Sequence, residues 1–147
     1  MNLEQLEKEI KIDEGEVLEI YLDHLGYPTV GVGHLITEDD EEYGKPVGTT
    51  VSQSRVNALL RDDLLRTVSE CKFLYNDFND LPEEVQLIIA NMMFNIGRPR
   101  LSKFKKMKEA VDNRSWLRAA AEMKDSKWYR QVTNRADRLV KRMEAMA

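Results

Sequence analysis

The residues able to do chemistry are concentrated between Asp13 and His34. Glu14 is followed at once by Gly15, and Asp23, nine positions on, follows Tyr21 and Leu22 at what reads as a strand end. Thr29 stands just before the pair Gly31 and Gly33. Two carboxylates on different elements, brought together by a tight sheet, are the minimum equipment for glycoside hydrolysis. One must carry a proton for the leaving oxygen, and the other must be ionised to activate water or stabilise the developing positive charge. The chain holds 26 acidic residues, so spacing alone does not separate these two from ordinary surface charges. Other chemistries are poorly provided for. His24 and His34 lack companions at ligand spacing, and the single Cys71 allows neither a disulfide framework nor a multi-cysteine zinc site. The Gly31-Val32-Gly33 run opens no helix with a following lysine, so it is not a phosphate loop; close strand packing explains its glycines equally well. No metal and no cofactor are expected.

These side chains need elements to position them. Leu3, Leu6 and Ile10 at helical spacing predict a short amphipathic helix over 3–13. Residues 15–36 hold four of the seven glycines and alternate apolar with polar residues, which predicts a small antiparallel sheet of two or three strands. The acidic, then Gly/Pro-bearing stretch 37–50 reads as a loop or a single helical turn. Ser52 is a candidate cap for a long helix whose stripe is Val56, Leu60, Leu64, Val68 and Cys71. Residues 74–81 read as a connection. Pro82 and Gly97 bracket an apolar helix through Leu87, Ile88, Met92 and Ile96, expected at the centre of the core. Ser102, Ser115 and Asn134 are candidate caps for three further short helices, with Trp116 and Trp128 as large anchors. The expected class is α+β, mainly helical, with one small N-terminal sheet.

A length of 147 residues fits one domain, and 42% hydrophobic with 33% charged residues argues against a disordered chain. No apolar run is long enough to span a bilayer, and MNLEQLEKEI lacks the basic-then-apolar pattern of a cleaved signal peptide. The expectation is a soluble protein made in a reducing cytoplasm, with no membrane insertion. Charge is unevenly spread: residues 1–50 hold 3 Lys/Arg against 13 Asp/Glu, and residues 101–147 hold 13 against 6. The basic end could attract a polyanion, but the acidic front and the absence of exposed stacking motifs argue against nucleic acid as a partner.

Taken together, IDEG at 12–15, Tyr21-Leu22-Asp23 and GYPTVGVGHL at 26–35 resemble the catalytic segment of T-even phage lysozymes, the endolysins of glycoside hydrolase family 24. NMMFNIG at 91–97 resembles the family's central-helix ending, and SKWYRQVTNRADR at 126–138 its C-terminal signature. The resemblance implies a single two-lobed domain over 1–147. Its small lobe would be about 14–51, its connecting helix about 52–72, and its helical lobe about 73–147 together with helix 3–13. It further implies a muramidase that cuts the β-1,4 bond between N-acetylmuramic acid and N-acetylglucosamine in peptidoglycan by inverting acid/base hydrolysis. Glu14 then resembles the general acid, Asp23 the second carboxylate, and Thr29 the hydroxyl that helps hold the attacking water. Arg135 resembles the arginine that pairs with the acid, while Leu35, Phe94 and Asn95 resemble glycan contacts. The alignment also sets Asp63 opposite His34 as a structural ion pair rather than a catalytic one. The partner implied is a peptidoglycan strand, met by a monomer made in the host bacterial cytoplasm and acting on the wall after release. The chain departs from the pattern in a shorter stretch between His34 and Ser52, and in Met107 and Glu122 where Ser and Asn are expected. A cell-wall-binding module with this fold and little activity is the alternative, and the presence of Glu14, Asp23 and Thr29 weighs against it.

Overall fold

The computed structural model describes residues 1–147. Its first helix, α1 (Leu3–Glu14), buries Leu6 and Ile10 completely, as the spacing predicts. It ends because Gly15 turns to φ +76° and donates its N–H to the Lys11 carbonyl at 2.9 Å, a left-handed cap that a side chain would strain. Glu14 is therefore the last helical residue. The chain then enters β1 (Val17–Leu22), β2 (Pro28–Gly31) and β3 (His34–Leu35), an antiparallel sheet in that order. Tyr21 pairs with Thr29, and Thr29 with Leu35, while Val30 pairs with His34. Ile20, Val30 and Val32 are buried.

The stretch 37–50 forms neither helix nor regular strand, but its end is more ordered than a free loop. Ile20 N–H donates to Thr49 O at 2.9 Å, Gly48 N–H to Ile20 O at 2.8 Å, and Val51 N–H to Leu18 O at 2.8 Å. The open edge of β1 is thereby satisfied, which protects it from pairing with other chains. Sequence patterning missed this strip because Pro46 and Gly48 break its alternation. Within the same stretch, Glu42 is only 3% exposed and takes a two-pronged contact from Arg55, with Nε to Oε2 at 2.9 Å and Nη2 to Oε1 at 3.0 Å. The guanidinium holds the Glu42 carboxyl below the usual carboxylate range.

Arg55 belongs to α2 (Gln53–Leu74), whose start is capped as expected, the Arg55 N–H donating to Ser52 Oγ at 3.1 Å. All five stripe residues from Val56 to Cys71 are buried. Backbone contacts divide the chain into two compact units, Leu3–Arg66 and Thr67–Ala147 with Met1–Asn2, and the boundary falls inside α2. This division groups α1, which the sequence reading puts with the helical lobe, with the sheet. Polar contacts tie α1 to the front of α2, Lys11 to Asn57 at 3.0 Å and Arg61 to Glu7 at 3.3 Å.

The second unit begins with the end of α2 and a single 3-10 turn, Phe78–Asp80, then α3 (Glu83–Leu101). Pro82 stands one residue ahead of α3 as its cap, and Gly97 (φ 79°, ψ 163°) breaks α3 where the sequence reading expects it to stop, although a short helical segment follows. Four helices follow rather than three: α4 (Lys105–Asp112), α5 (Trp116–Lys124), α6 (Lys127–Gln131) and α7 (Thr133–Glu144). Two of the expected caps are wrong. Ser102 donates its hydroxyl back to Pro99 O at 2.7 Å at the end of α3, and Asn134 lies inside α7. Ser115 takes the cap position of α5 without a side-chain bond, whereas Ser126 caps α6 by accepting from Tyr129 N–H at 3.1 Å. Trp128 is buried and Trp116 only half-buried. α7 packs on α3, α5 and α6, and Arg142 near its end grips Glu84 at the start of α3 through two bonds of 3.0 and 2.7 Å.

Candidate active site

In the unit Leu3–Arg66, β1 ends at Leu22 and the chain reverses over Asp23–Tyr27. The reversal depends on Gly26, at φ +85°, whose N–H donates to Asp23 O at 2.9 Å. One oxygen of the Asp23 carboxylate is fixed by this turn. Oδ1 accepts from the Leu25 N–H at 2.9 Å and from the Tyr27 N–H at 2.8 Å. Oδ2 has no protein donor. The Tyr27 carbonyl in turn accepts from Asp23 N–H at 2.9 Å and from the Thr29 hydroxyl at 2.9 Å. Asp23 and Thr29 are thus anchored to the two sides of one residue's backbone. Thr29 is 4% exposed, and because its proton is committed to Tyr27, its oxygen can meet a further group only as an acceptor.

Glu14, at the end of α1, is exposed. The Tyr21 phenol is pushed above its ordinary value first by burial, then by the negative charges of Asp23 and Glu14. Both candidate carboxylates therefore act on a single side chain of β1. Leu35, at the far end of the same cross-strand row, is 50% exposed. His34 bonds Asp63 on α2 at 2.7 Å, the expected pair, and also Asp40 at 2.8 Å, which the sequence reading missed. Tyr21, on which both carboxylates act, is not singled out by the sequence reading either. Its pairing with Thr29 follows only from the hairpin register, which no spacing rule fixes beforehand.

The remaining candidates lie in the unit Thr67–Ala147. Phe94 and Asn95, both on α3, are half-buried, and Asn95 Oδ1 accepts from the Trp128 indole N–H at 2.8 Å. That carbonyl is structural, leaving the amide NH₂ as the part of Asn95 able to meet a ligand. Arg135 is held to α3 by Asn91, Nε donating to Oδ1 at 2.9 Å and Nη2 to the backbone O at 3.4 Å. With Asn91 only 1% exposed, Arg135 is an oriented side chain and not a loose charge at a helix end. Met107 is fully buried, which takes it out of reach of direct sugar contact. It and Glu122 line a cavity of about 430 Å³ together with Lys103, Lys105 and Lys106. No group of three His, Cys, Asp or Glu is arranged to hold a metal ion, and no helix is long and apolar enough to cross a membrane.

Comparison with known proteins gives consistent results. The sequence profile of the phage lysozyme family matches residues 11–146. The chain is 31% identical over 150 residues to "Probable T4-type lysozyme 2" of Dictyostelium discoideum, covering 89% of this chain and 88% of that one. It is 27% identical over 148 residues to the pre-baseplate central spike protein Gp5 of Enterobacteria phage T4, covering 88% of this chain but 26% of the spike protein. It is 29% identical over 125 residues to the peptidoglycan hydrolase gp36 of Pseudomonas phage phiKMV, covering 85% of this chain and 13% of the other.

Proposed function

The chain belongs to the phage lysozyme family and is a lysozyme-type glycosidase; on that premise we propose that it is a muramidase cutting the β-1,4 bond between N-acetylmuramic acid and N-acetylglucosamine with inversion. The observation that carries the reading is the shared anchorage of Asp23 and Thr29 on the Tyr27 backbone. It leaves Asp23 Oδ2 and the Thr29 hydroxyl oxygen as two acceptors on one hairpin. A water that donates a proton to each has its lone pair directed outward, towards a sugar carbon.

The reaction then balances simply. A protonated Glu14 carboxyl gives its proton to the glycosidic oxygen as the bond from that oxygen to the anomeric carbon breaks. The water oxygen bonds to the anomeric carbon from the opposite face, and its proton passes to Asp23. Neither step calls for a cofactor. Leu35 is proposed as a glycan contact of the unit Leu3–Arg66, and Phe94, Asn95 and Arg135 as glycan contacts of the unit Thr67–Ala147. Residues 1–147 are read as one lysozyme domain acting as a monomer on the wall, after synthesis in the cytoplasm of a bacterial host.

Product analysis tests the reading. Purified peptidoglycan treated with the protein should gain reducing ends on N-acetylmuramic acid, released first as the α anomer. New reducing ends on N-acetylglucosamine would contradict the bond assignment, and a β anomer would contradict inversion.

A further inference from the structure

The pairing register sets Tyr21, Thr29 and Leu35 opposite one another across β1, β2 and β3. Directly paired residues of an antiparallel sheet project to the same face. A phenol, a buried hydroxyl and a half-exposed leucine therefore form one row, with Thr29 in its middle. The reaction above uses Thr29 and leaves Tyr21 idle. Tyr21 is half-buried, yet its hydroxyl makes no hydrogen bond to any protein group, and a phenol in that state has its donor free for a ligand.

We propose that Tyr21 is a substrate-positioning residue, its phenol O–H donating a hydrogen bond to an oxygen substituent of the sugar ring held between Glu14 and Asp23. The inference rests on the muramidase reading. The acid and the water-activating carboxylate of a glycosidase stand on either side of the bond to be cut. Tyr21 lies on β1, the strand that runs from the end of α1, where Glu14 stands, to the Asp23 turn, and it pairs directly with Thr29. Burial first, then the charges of Asp23 and Glu14, push the Tyr21 phenol above its ordinary value, so Tyr21 remains a donor across the neutral range. The complementary ligand group is a hydroxyl or acetamido oxygen of an N-acetylated sugar. An aromatic ring beside it adds an apolar face that fits the C–H side of a pyranose.

Tyr21→Phe removes the donor and keeps the ring. Turnover of soluble glycan fragments should fall about tenfold in kcat with little change in KM, because the bond strengthens as the ring distorts. The melting temperature should stay at the wild-type value. The second readout is the alkaline absorbance titration of Tyr21, taken as wild type minus Tyr21→Phe. It should move to higher pH when the N-acetylglucosamine–N-acetylmuramic acid disaccharide is added. Wild-type kcat in the folded Phe variant overturns the inference. If the Phe variant is destabilised, the titration decides: a shift with the disaccharide supports the role, and indifference to it overturns the role. A wild-type protein that cleaves no glycan overturns the muramidase reading and this inference with it.

Discussion

His34 and Asp63 meet at 2.7 Å, Nδ1 to Oδ2, across the seam between β3 and α2, and the other ring nitrogen lies 2.8 Å from Asp40 Oδ2. A neutral imidazole has one N–H, so it satisfies only one of these carboxylates; the imidazolium satisfies both. The Asp63 hydrogen bond raises the His34 pKa, burial opposes it, and Asp40 adds to the rise. Burial pushes the Asp40 carboxyl upward, but the Thr37 N–H and His34 outweigh it, so its net shift is downward.

The signs give a stability window. A raised histidine stabilises fully below its unfolded value and loses that contribution as pH rises through its folded value; a lowered aspartate does the reverse in acid. The network should contribute most between about pH 4 and 6.5. His34→Asn should lower stability by about 2 kcal/mol in that range, with the gap to wild type narrowing at alkaline pH. Thermal unfolding across pH 4 to 9 reads this directly. A gap that widens above neutrality would count against the assignment.

Asp23 has two separable tasks, holding its turn through Oδ1 and facing solvent through Oδ2. Asp23→Asn keeps an acceptor for both backbone donors and removes the base. It should unfold like wild type while losing about 10²–10⁴-fold in rate. Asp23→Ala should lose the same activity and, in addition, about 1–3 kcal/mol of stability as the turn donors go unpaired. Equal stability of the two variants would mean that the turn does not depend on the carboxylate.

Gly31 closes β2 at φ +70°, and a Cβ built there would stand 2.9 Å from Val56 Cγ1 on α2. Gly31→Ala should therefore cost about 1–2 kcal/mol in backbone strain and about 1–3 kcal/mol in overpacking. In the double variant with Val56→Ala the overpacking part should disappear, so the two substitutions should be less harmful together than the sum of each alone. Strict additivity in urea unfolding would show that the close approach carries no energy.

Much of this organisation was legible from residue types. The stripe from Val56 to Cys71 and the brackets Pro82 and Gly97 are strong helical signals, because burial of one face at a fixed period leaves a regular trace. The caps after Leu101 were harder to read. Ser102, Ser115 and Asn134 are all acceptable capping residues, and which of them caps is decided by tertiary packing that short helices need for stability. Within the site, Glu14 and Asp23 stood out by motif. Tyr21, whose phenol both carboxylates push up, did not, because its pairing with Thr29 depends on a register set by the Asp23–Tyr27 turn. Asp40 on His34 was hidden for a similar reason, since it arises where an irregular stretch folds back.

The central claim is that Glu14 supplies the proton for glycan cleavage. Clearing of a purified cell-wall suspension by wild type and by Glu14→Gln, at matched folded concentration, tests it most directly. The glutamine keeps the shape at the end of α1 and removes only the transferable proton. Wild type should clear the suspension and Glu14→Gln should be slower by about 10²–10⁴-fold, with its unfolding temperature unchanged. Clearing at the wild-type rate by the folded glutamine variant would contradict the account.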